Sequence, residues 1–174
     1  YDKLGRLAGV KENGAQLYSL TYNGDGQAAR LADNASGETT EYEYDAAGRL
    51  IRANRTSSSS GASLLSAENV YDSYGRAKST TYLLPNQTQK YTLAYQNKSS
   101  LLSTIYLPDP TESAIISYHY DKFERLSFMY LTAFNMPDIQ TTYQYVDRTD
   151  GSTTYTSNRI AEESLSMANG SVSF

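Results

Sequence analysis

The sequence predicts an all-β fold, an antiparallel β-hairpin meander that forms a curved or spiralling sheet. Three observations lead to this prediction. Tyrosine, threonine and serine dominate the composition, with 17 tyrosines in 174 residues, and this composition favours β-sheet. Apolar and polar residues alternate with a period of two in stretches such as 42–44 and 118–120. A short tyrosine-containing cluster also recurs along the whole chain.

The recurring cluster is clearest at residues 44–50, which read Tyr-Asp-Ala-Ala-Gly-Arg-Leu. Its leading tyrosine returns after steps of 21, 22, 27, 24, 25 and 25 residues. The seven leading tyrosines are Tyr1, Tyr22, Tyr44, Tyr71, Tyr95, Tyr120 and Tyr145. This spacing predicts that residues 1–174 are a single segment of about seven repeats, truncated at both ends.

Each clear copy continues with an acidic or amide residue, and then with glycine and arginine in most cases. The copies at 95–98 and 145–148 are weaker. We assign the following residues to a structural turn motif: Tyr1, Asp2, Gly5, Arg6, Tyr22, Asn23, Gly26, Tyr44, Asp45, Gly48, Arg49, Tyr71, Asp72, Gly75, Arg76, Tyr120, Asp121 and Arg125.

The residue types of the motif are those that a tight turn requires. Tyrosine can bury its ring while its hydroxyl finds a partner. The aspartate carboxylate can accept hydrogen bonds from backbone amides two residues on. Glycine adopts a positive φ at low cost, and arginine is close enough to form a charge-assisted bond with the aspartate. Glu124 replaces glycine in the sixth copy, so we expect a different or a strained turn there.

Strand-like runs follow the turns, for example at 50–55, 77–83, 101–107 and 126–131. A second set of turn signals, rich in Asn, Gly and Pro, separates these runs from the next tyrosine cluster. These signals lie at 12–14, 34–37, 57–61, 84–86, 108–110, 136–138 and 169–170. Each repeat is therefore predicted to hold two strands, which gives about fourteen strands. Accumulated strand twist would make so long a meander bend.

The repeated Tyr-Asp-Xaa-Xaa-Gly-Arg-Leu cluster resembles the YD repeats of the Rhs family, which includes bacterial Rhs and wall-associated toxins, components of insecticidal toxin complexes, and teneurins. The resemblance covers essentially the whole chain and is strong in four copies. It implies a section of a YD-repeat shell, a β-sheet that winds around a C-terminal toxic domain in bacterial members. The self-cleaving core signature of the family is absent from the sequence, and residues 107–110 do not fit it.

Composition excludes several other classes of protein. The net charge of −4 argues against a nucleic-acid surface, and no apolar run reaches the roughly 20 residues of a membrane helix. Cysteine is absent, which excludes a disulfide framework, a thiolate metal site and a thiol nucleophile.

The sequence offers no constellation typical of catalysis, and we expect no enzymatic activity, no cofactor and no metal. His119 is the single histidine, and its place between two tyrosines of a strand predicts an outward-facing residue. Glu41 and Glu43, and the pair at 162–163, are expected on the solvent side of strands. The oxygen-rich loops at 23–26 and 147–151 are alternatives for calcium, but neither has the EF-hand pattern.

The resemblance implies a non-enzymatic structural segment of a large secreted or cell-surface protein, of bacterial origin. Its partners would be the remaining repeats and the C-terminal domain of the parent chain. The alternative is a cell-surface adhesion module that binds carbohydrate or protein, since tyrosine rings can stack on sugars. Unpaired sheet edges would also permit self-association.

Overall fold

The computed structural model describes residues 1–108, 114–133, 136–167 and 170–173, of which the last range is described for its backbone alone. These residues form sixteen strands and no helix, so no membrane-crossing helix occurs among them. The predicted all-β, antiparallel meander is confirmed. The strands are β1 Gly9–Glu12, β2 Ala15–Tyr22, β3 Ala28–Asp33, β4 Glu38–Tyr44, β5 Leu50–Ser57, β6 Ser63–Tyr71, β7 Ala77–Leu84, β8 Gln87–Tyr95, β9 Leu102–Leu107, β10 Ala114–Tyr120, β11 Leu126–Thr132, β12 Ile139–Tyr145, β13 Arg148–Asp150, β14 Thr153–Tyr155, β15 Ile160–Met167 and β16 Gly170–Ser173.

The chain divides into two compact units. The first contains Tyr1–Asp72 and Ser79–Lys90. In this unit β1 to β6 pair in chain order, each strand antiparallel to the next. Asn13 and Gly14 close the first hairpin with φ angles of 50° and 83°, which is the geometry that a two-residue hairpin turn requires.

The second unit contains Ser73–Lys78 and Tyr91–Phe174. Its strands β9, β10, β11, β12, β15 and β16 again pair antiparallel in this order. Strands β13 and β14 form a separate two-stranded hairpin, which the sequence pattern did not predict. Of the predicted turns in this half of the chain, Asp109, Pro110 and Asn169 lie outside the described residues.

A β-bulge precedes the leading tyrosine at five of the turns within the described ranges. At the third turn, Glu43 pairs with Arg52 but Tyr44 pairs with Leu50, which leaves Ile51 as the extra residue. The same shift occurs immediately before Tyr22, Tyr95, Tyr120 and Tyr145. A bulge bends the strand and increases its local twist, and here it aims the tyrosine toward the turn of the neighbouring hairpin.

No hydrophobic side chain is fully buried among the described residues, and the buried residues are Thr39, Ser66, Ser79 and Thr141. We expected the leading tyrosines to point to a buried face. They are half-buried instead, apart from the exposed Tyr1. Within each unit the described strands form hairpins side by side, and no second layer covers them. An uncovered sheet leaves both of its faces partly open to solvent.

Candidate functional site

The third turn displays the geometry of the repeated motif in full. The amide of Asp45 donates to the carbonyl of Arg49 (2.9 Å), and the amide of Gly48 donates to the carbonyl of Asp45 (2.9 Å). One carboxylate oxygen of Asp45 accepts the amides of Ala47 (2.9 Å) and Arg49 (3.0 Å). The other accepts the Nε (2.7 Å) and Nη2 (2.6 Å) of Arg49. One aspartate therefore bonds to both the backbone and the arginine of the turn.

The first and sixth turns repeat this arrangement almost atom for atom. Asp2 accepts the amide of Arg6 at 2.9 Å and its Nε at 2.7 Å. Asp121 accepts the amide of Arg125 at 3.0 Å and its Nε at 2.8 Å. The residues assigned from the sequence therefore adopt the same local structure in three copies that lie far apart in the chain.

Hydrogen bonds lower the pKa values of the turn aspartates. For Asp2 the largest cause is the backbone amide of Arg6, and for Asp45 it is the side chain of Arg49. At Asp121 burial acts to raise the pKa, but the hydrogen bonds from Arg125 outweigh it, and the pKa is lowered overall. Each carboxylate is held in its charged form, because only that form accepts these bonds without competition from its own proton.

The second turn is a neutral version of the same structure. Asn23 replaces the aspartate, and its Oδ1 accepts the amides of Asp25 (3.1 Å) and Gln27 (2.9 Å). Its Nδ2 donates to Oε1 of Gln27 at 3.2 Å, where the other turns have an ion pair. The amide of Gly26 donates to the carbonyl of Asn23 at 3.1 Å, so the backbone turn is unchanged.

Glu124 occupies the glycine position of the sixth turn. Its amide still donates to the carbonyl of Asp121 at 3.0 Å, so the turn type is kept. Its φ is +61°, close to the +76° of Gly48 at the matching position. A residue with a Cβ rarely adopts this conformation, so the turn is strained. A strained turn was one of the two alternatives that the sequence predicted for this position.

The arginine of each turn also reaches the leading tyrosine of the next repeat, a relationship that sequence reasoning missed. The guanidinium carbon of Arg49 lies 4.5 Å from the ring centroid of Tyr71. The equivalent distances are 4.1 Å from Arg6 to Tyr22 and 4.3 Å from Arg125 to Tyr145. A cation above an aromatic face is attracted by the ring quadrupole.

The hydroxyl of that next tyrosine donates to the carbonyl of the residue immediately after the turn. Among the described residues five tyrosines make this bond at 2.8–2.9 Å. The pairs are Tyr22 to Leu7, Tyr44 to Ala28, Tyr71 to Leu50, Tyr95 to Ala77, and Tyr145 to Leu126. We call the stacked arginine together with this hydroxyl–carbonyl bond the Arg–Tyr clasp.

Strand register explains why the clasp recurs. Gly9 pairs with Ser19, so three residues further out Arg6 stands opposite Tyr22. Phe128 pairs with Thr142, so Arg125 stands opposite Tyr145 by the same count. Each arginine begins the strand whose partner ends in the tyrosine. In the sequence, the signal for the clasp is an arginine that lies one hairpin before the stacked tyrosine.

The remaining assigned residues also lie at turns. Arg76 stacks on Tyr95 at 4.4 Å and donates to the carbonyl of Asn97 at 3.2 Å, across the hairpin in the second unit. Tyr71 and Asp72 are half-buried at the end of β6, and Gly75 has a φ of +81°. Tyr120 is half-buried, which raises the pKa of its hydroxyl. Tyr1 is 87% exposed.

The seventh turn carries an insertion. The amide of Val146 donates to the carbonyl of Arg159 at 2.9 Å, which is the bond that Asp45 and Arg49 form in the third turn. Residues 147–158, including the hairpin β13–β14, fill the space between. Arg125 holds the base of this insertion through Asp147 (2.6 and 2.8 Å) and the carbonyl of Ser157 (2.6 Å).

The side chain of Arg125 is well enclosed, with 10% of it exposed. It pairs with both Asp121 and Asp147. Its side-chain hydrogen bond with Asp147 lowers the pKa of that carboxyl to about 2 and raises the pKa of the guanidinium itself. The oxygen-rich loop at 147–151 thus uses its first carboxylate on an arginine, which disfavours the calcium alternative.

The residues considered for catalysis lie on the surface of strands. His119 is exposed and stacks on Phe128 with ring centroids 4.1 Å apart. Glu41, Glu43 and Glu163 are exposed and Glu162 is half-buried. Within the described ranges, no three acidic or histidine side chains are grouped so that they could hold a metal ion.

The RHS Repeat family model matches residues 22–60, which include the second and third turns and the Tyr44–Ala28 hydrogen bond between them. Residues 22–60 match the RHS repeat. The resemblance predicted from the sequence is therefore confirmed. The Asn23 and Asp45 turns are the two copies of the repeated turn motif within this match. No curated protein sequence matches the chain.

A solved structure has a similar fold over most of the chain. A crystal structure of TcdB2-TccC3-TEV is similar with a TM-score of 0.68 and 21% identity over 83% of this chain. The match spans 8% of that longer chain. The Tc holotoxin pore of Photorhabdus luminescens, with a mutation in TccC3, matches with a TM-score of 0.40 and 14% identity, over 95% of this chain and 14% of that one.

Proposed function

We propose that residues 1–174 are a structural segment of about seven YD repeats that forms part of a β-shell in a larger bacterial protein. This shell encloses or presents a C-terminal domain, and we propose that this domain is a toxin. The parent protein is secreted or lies at the cell surface. The partners of the segment are the neighbouring repeats and the domain that the shell encloses.

The observation that carries the proposal is the apolar face of the sheet in the second unit, on which none of the described residues of that unit packs. In the second unit, Ile116 pairs with Leu131 and Leu131 pairs with Ile139, so their side chains share one face of the sheet. Met129 and Leu165 stand beside them across Thr141. These residues line a groove of about 270 Å³ and remain half-buried.

The opposite face of the same strands is mainly polar. Its cross-strand rows include Phe128, Thr142 and Ser164, and then Tyr130, Gln140 and Ser166. A sheet that is apolar on one side and polar on the other suits a wall between solvent and enclosed contents, because the apolar side gains by being covered. Winding the sheet around a domain, and curving it as predicted, would cover that side.

The Arg–Tyr clasp supports a wall built in series. Every clasp joins one hairpin to the next, so each repeat is stabilised by its contacts with neighbouring repeats, as in other repeat proteins. The TcdB2-TccC3-TEV structure supports the fold of such a segment and no more, at 21% identity.

We propose no catalytic role and no cofactor for this segment. The titratable side chains of the motif bond to backbone amides and arginines, and they lie along the turns without converging on one cleft. Hydrolysis by paired carboxylates would require two groups on opposite sides of a bound substrate.

Protease protection in the parent protein tests the shell. The C-terminal domain should resist digestion in the intact protein and be cut after residues 1–174 are deleted. Arg49→Ala, which breaks a clasp, should speed the digestion, whereas Arg148→Ala on the exposed hairpin should not. An unchanged digestion rate after the deletion would rule out the shell.

Adhesion is a second candidate, favoured by one cluster on the polar face. His119, Phe128 and Tyr130 form an aromatic group, with His119 and Tyr130 ring centroids 6.2 Å apart and edge-on. Exposed rings of this kind can stack on a sugar or on a protein side chain. Binding on a glycan array that Tyr130→Ala and His119→Ala abolish would establish adhesion, and the absence of any binding to the array would rule out the glycan form of this candidate.

A further inference from the structure

The seventh turn contains an arginine in the clasp position. Tyr145 pairs with Ile160 as Tyr44 pairs with Leu50, each directly after a β-bulge. The carbonyl of Arg159 accepts the amide of Val146, which matches the bond between Arg49 and Asp45. Arg159 is therefore the counterpart of Arg49, although nine inserted residues hide this in the sequence.

The guanidinium of Arg159 is not engaged. Valine stands at position 146, where the other turns have a carboxylate or an amide, and Asp147 pairs with Arg125. Among the residues that the structure describes, none makes an ion pair, a hydrogen bond or a ring contact with this guanidinium. Its side chain is exposed.

The strand edge next to Arg159 is open as well. Strand β16 pairs with residues 164–167 of β15, and within the described part of the chain nothing pairs with the same edge at 160–163. Ile160, whose carbonyl corresponds to the acceptor of the other clasps, is 49% exposed.

We infer that Arg159 and the Ile160 carbonyl form a docking site for a tyrosine at the end of a strand that continues β16. The tyrosine ring lies under the Arg159 guanidinium, and its hydroxyl donates to Ile160. Register fixes the position of this tyrosine. Ser164 pairs with Ser173, so the residue opposite Arg159 is the fourth one beyond Phe174. This count is the one that places Tyr22 opposite Arg6.

The chemistry of the site selects tyrosine. A cation–π contact needs an aromatic ring, and the Ile160 carbonyl needs a hydroxyl donor that reaches it from the ring. Phenylalanine meets the first requirement alone.

Extension of the chain tests this inference. A copy of residues 68–76 fused directly after Phe174 puts its tyrosine in the fourth added position. Hydrogen exchange of the 160–163 amides should slow by about tenfold relative to the unextended chain, since a hydrogen bond and a cation–π contact are both gained. The melting temperature should rise together with this protection.

Four variants, one of them a control, decide the result. Phenylalanine in place of the added tyrosine should keep part of the protection, and a one-residue spacer before the copy should abolish it. Arg159→Ala should remove most of it, whereas Arg148→Ala should have no effect. Equal protection in the spacer variant, or in Arg159→Ala, would overturn the inference. The site concerns docking between repeats, so this outcome is independent of whether the segment encloses a domain.

Discussion

The guanidinium of Arg49 lies 4.5 Å from the ring centroid of Tyr71, 22 positions further along the chain. The hydroxyl of Tyr71 donates at 2.8 Å to the carbonyl of Leu50, the neighbour of that arginine. Asp45 orients the arginine from the other side. One short turn motif therefore stabilises its own hairpin corner and also fixes the end of the next strand.

Loss of the tyrosine hydroxyl measures the hydrogen-bonded half of the clasp. Tyr44→Phe and Tyr71→Phe should each lower the free energy of unfolding by about 0.5–1.5 kcal/mol, the usual net contribution of one hydrogen bond. Tyr155→Phe is the control, because Tyr155 is 58% exposed on β14. Urea unfolding curves provide the comparison, and equal losses at all three positions would contradict a role for the hydroxyl–carbonyl bond.

Substitutions at the glycine position of the turn should have opposite effects on stability in the third and sixth repeats. Glu124→Gly should stabilise the protein by up to about 1 kcal/mol, because it relieves a positive φ. Gly48→Ala should destabilise it by about 1–2 kcal/mol, since the φ there is +76° and the new Cβ would lie 3.3 Å from Nε2 of Gln27. Thermal unfolding of both variants gives the signs, and a destabilised Glu124→Gly would show that its side chain matters more than its backbone strain.

Acid should weaken the protein through the turn aspartates. Their pKa values in the folded state lie below the unfolded value of about 3.9. The unfolded chain therefore takes up protons first, and the stabilisation is present above about pH 4 and is lost as the pH falls toward about 2, the pKa of Asp147.

Asp147→Asn isolates one contribution to this acid dependence. The variant should have a smaller loss of stability between pH 4 and pH 2 than the wild-type chain, as measured by urea unfolding at each pH. Asp25→Asn, in the neutral second turn, is the control and should leave the slope unchanged. An identical slope in Asp147→Asn would show that its ion pair with Arg125 contributes nothing to folding.

Arg125 should be the attachment point of the inserted hairpin. Arg125→Gln removes the contacts with Asp147 and weakens that with the Ser157 carbonyl, so residues 147–158 should exchange their amides at least about tenfold faster, as a loss of about 1.4 kcal/mol implies. Strands β2 to β5 should keep their protection. Arg148→Gln on the same hairpin is the matched control, and equal exchange in both variants would contradict the proposed attachment.

The neutral second turn predicts that an uncharged pair can replace the Asp45–Arg49 ion pair of the third turn. Asp45→Asn combined with Arg49→Gln copies the Asn23–Gln27 pair into the third turn. The double variant should be more stable than Asp45→Ala with Arg49→Gln, since the amide oxygen still accepts the backbone amides of the turn. Melting temperatures measured at low and high salt give the test, and a double variant as unstable as the alanine variant would show that the ion pair is essential.

The sequence determined the strands and the turns because both depend on neighbouring residues. Period-two alternation placed strand residues such as 42–44, and the Asp45–Arg49 turn follows from the hydrogen-bonding capacity of those side chains. The turn partner of Tyr145, Arg159, was missed, because local spacing carries no information across an insertion of nine residues.

Only the tertiary structure decided which turn contacts which tyrosine, and how much of each ring is buried. The stacking of Arg49 on Tyr71 depends on strand register, because the pairing of Arg52 with Glu68 brings residues 22 positions apart into contact. The half-buried rings follow from a sheet without a covering layer, and the presence of such a layer depends on chain packing and cannot be inferred from alternation. Local chemistry thus fixes the hairpin corner, whereas pairing across the sheet turns that corner into a link between repeats.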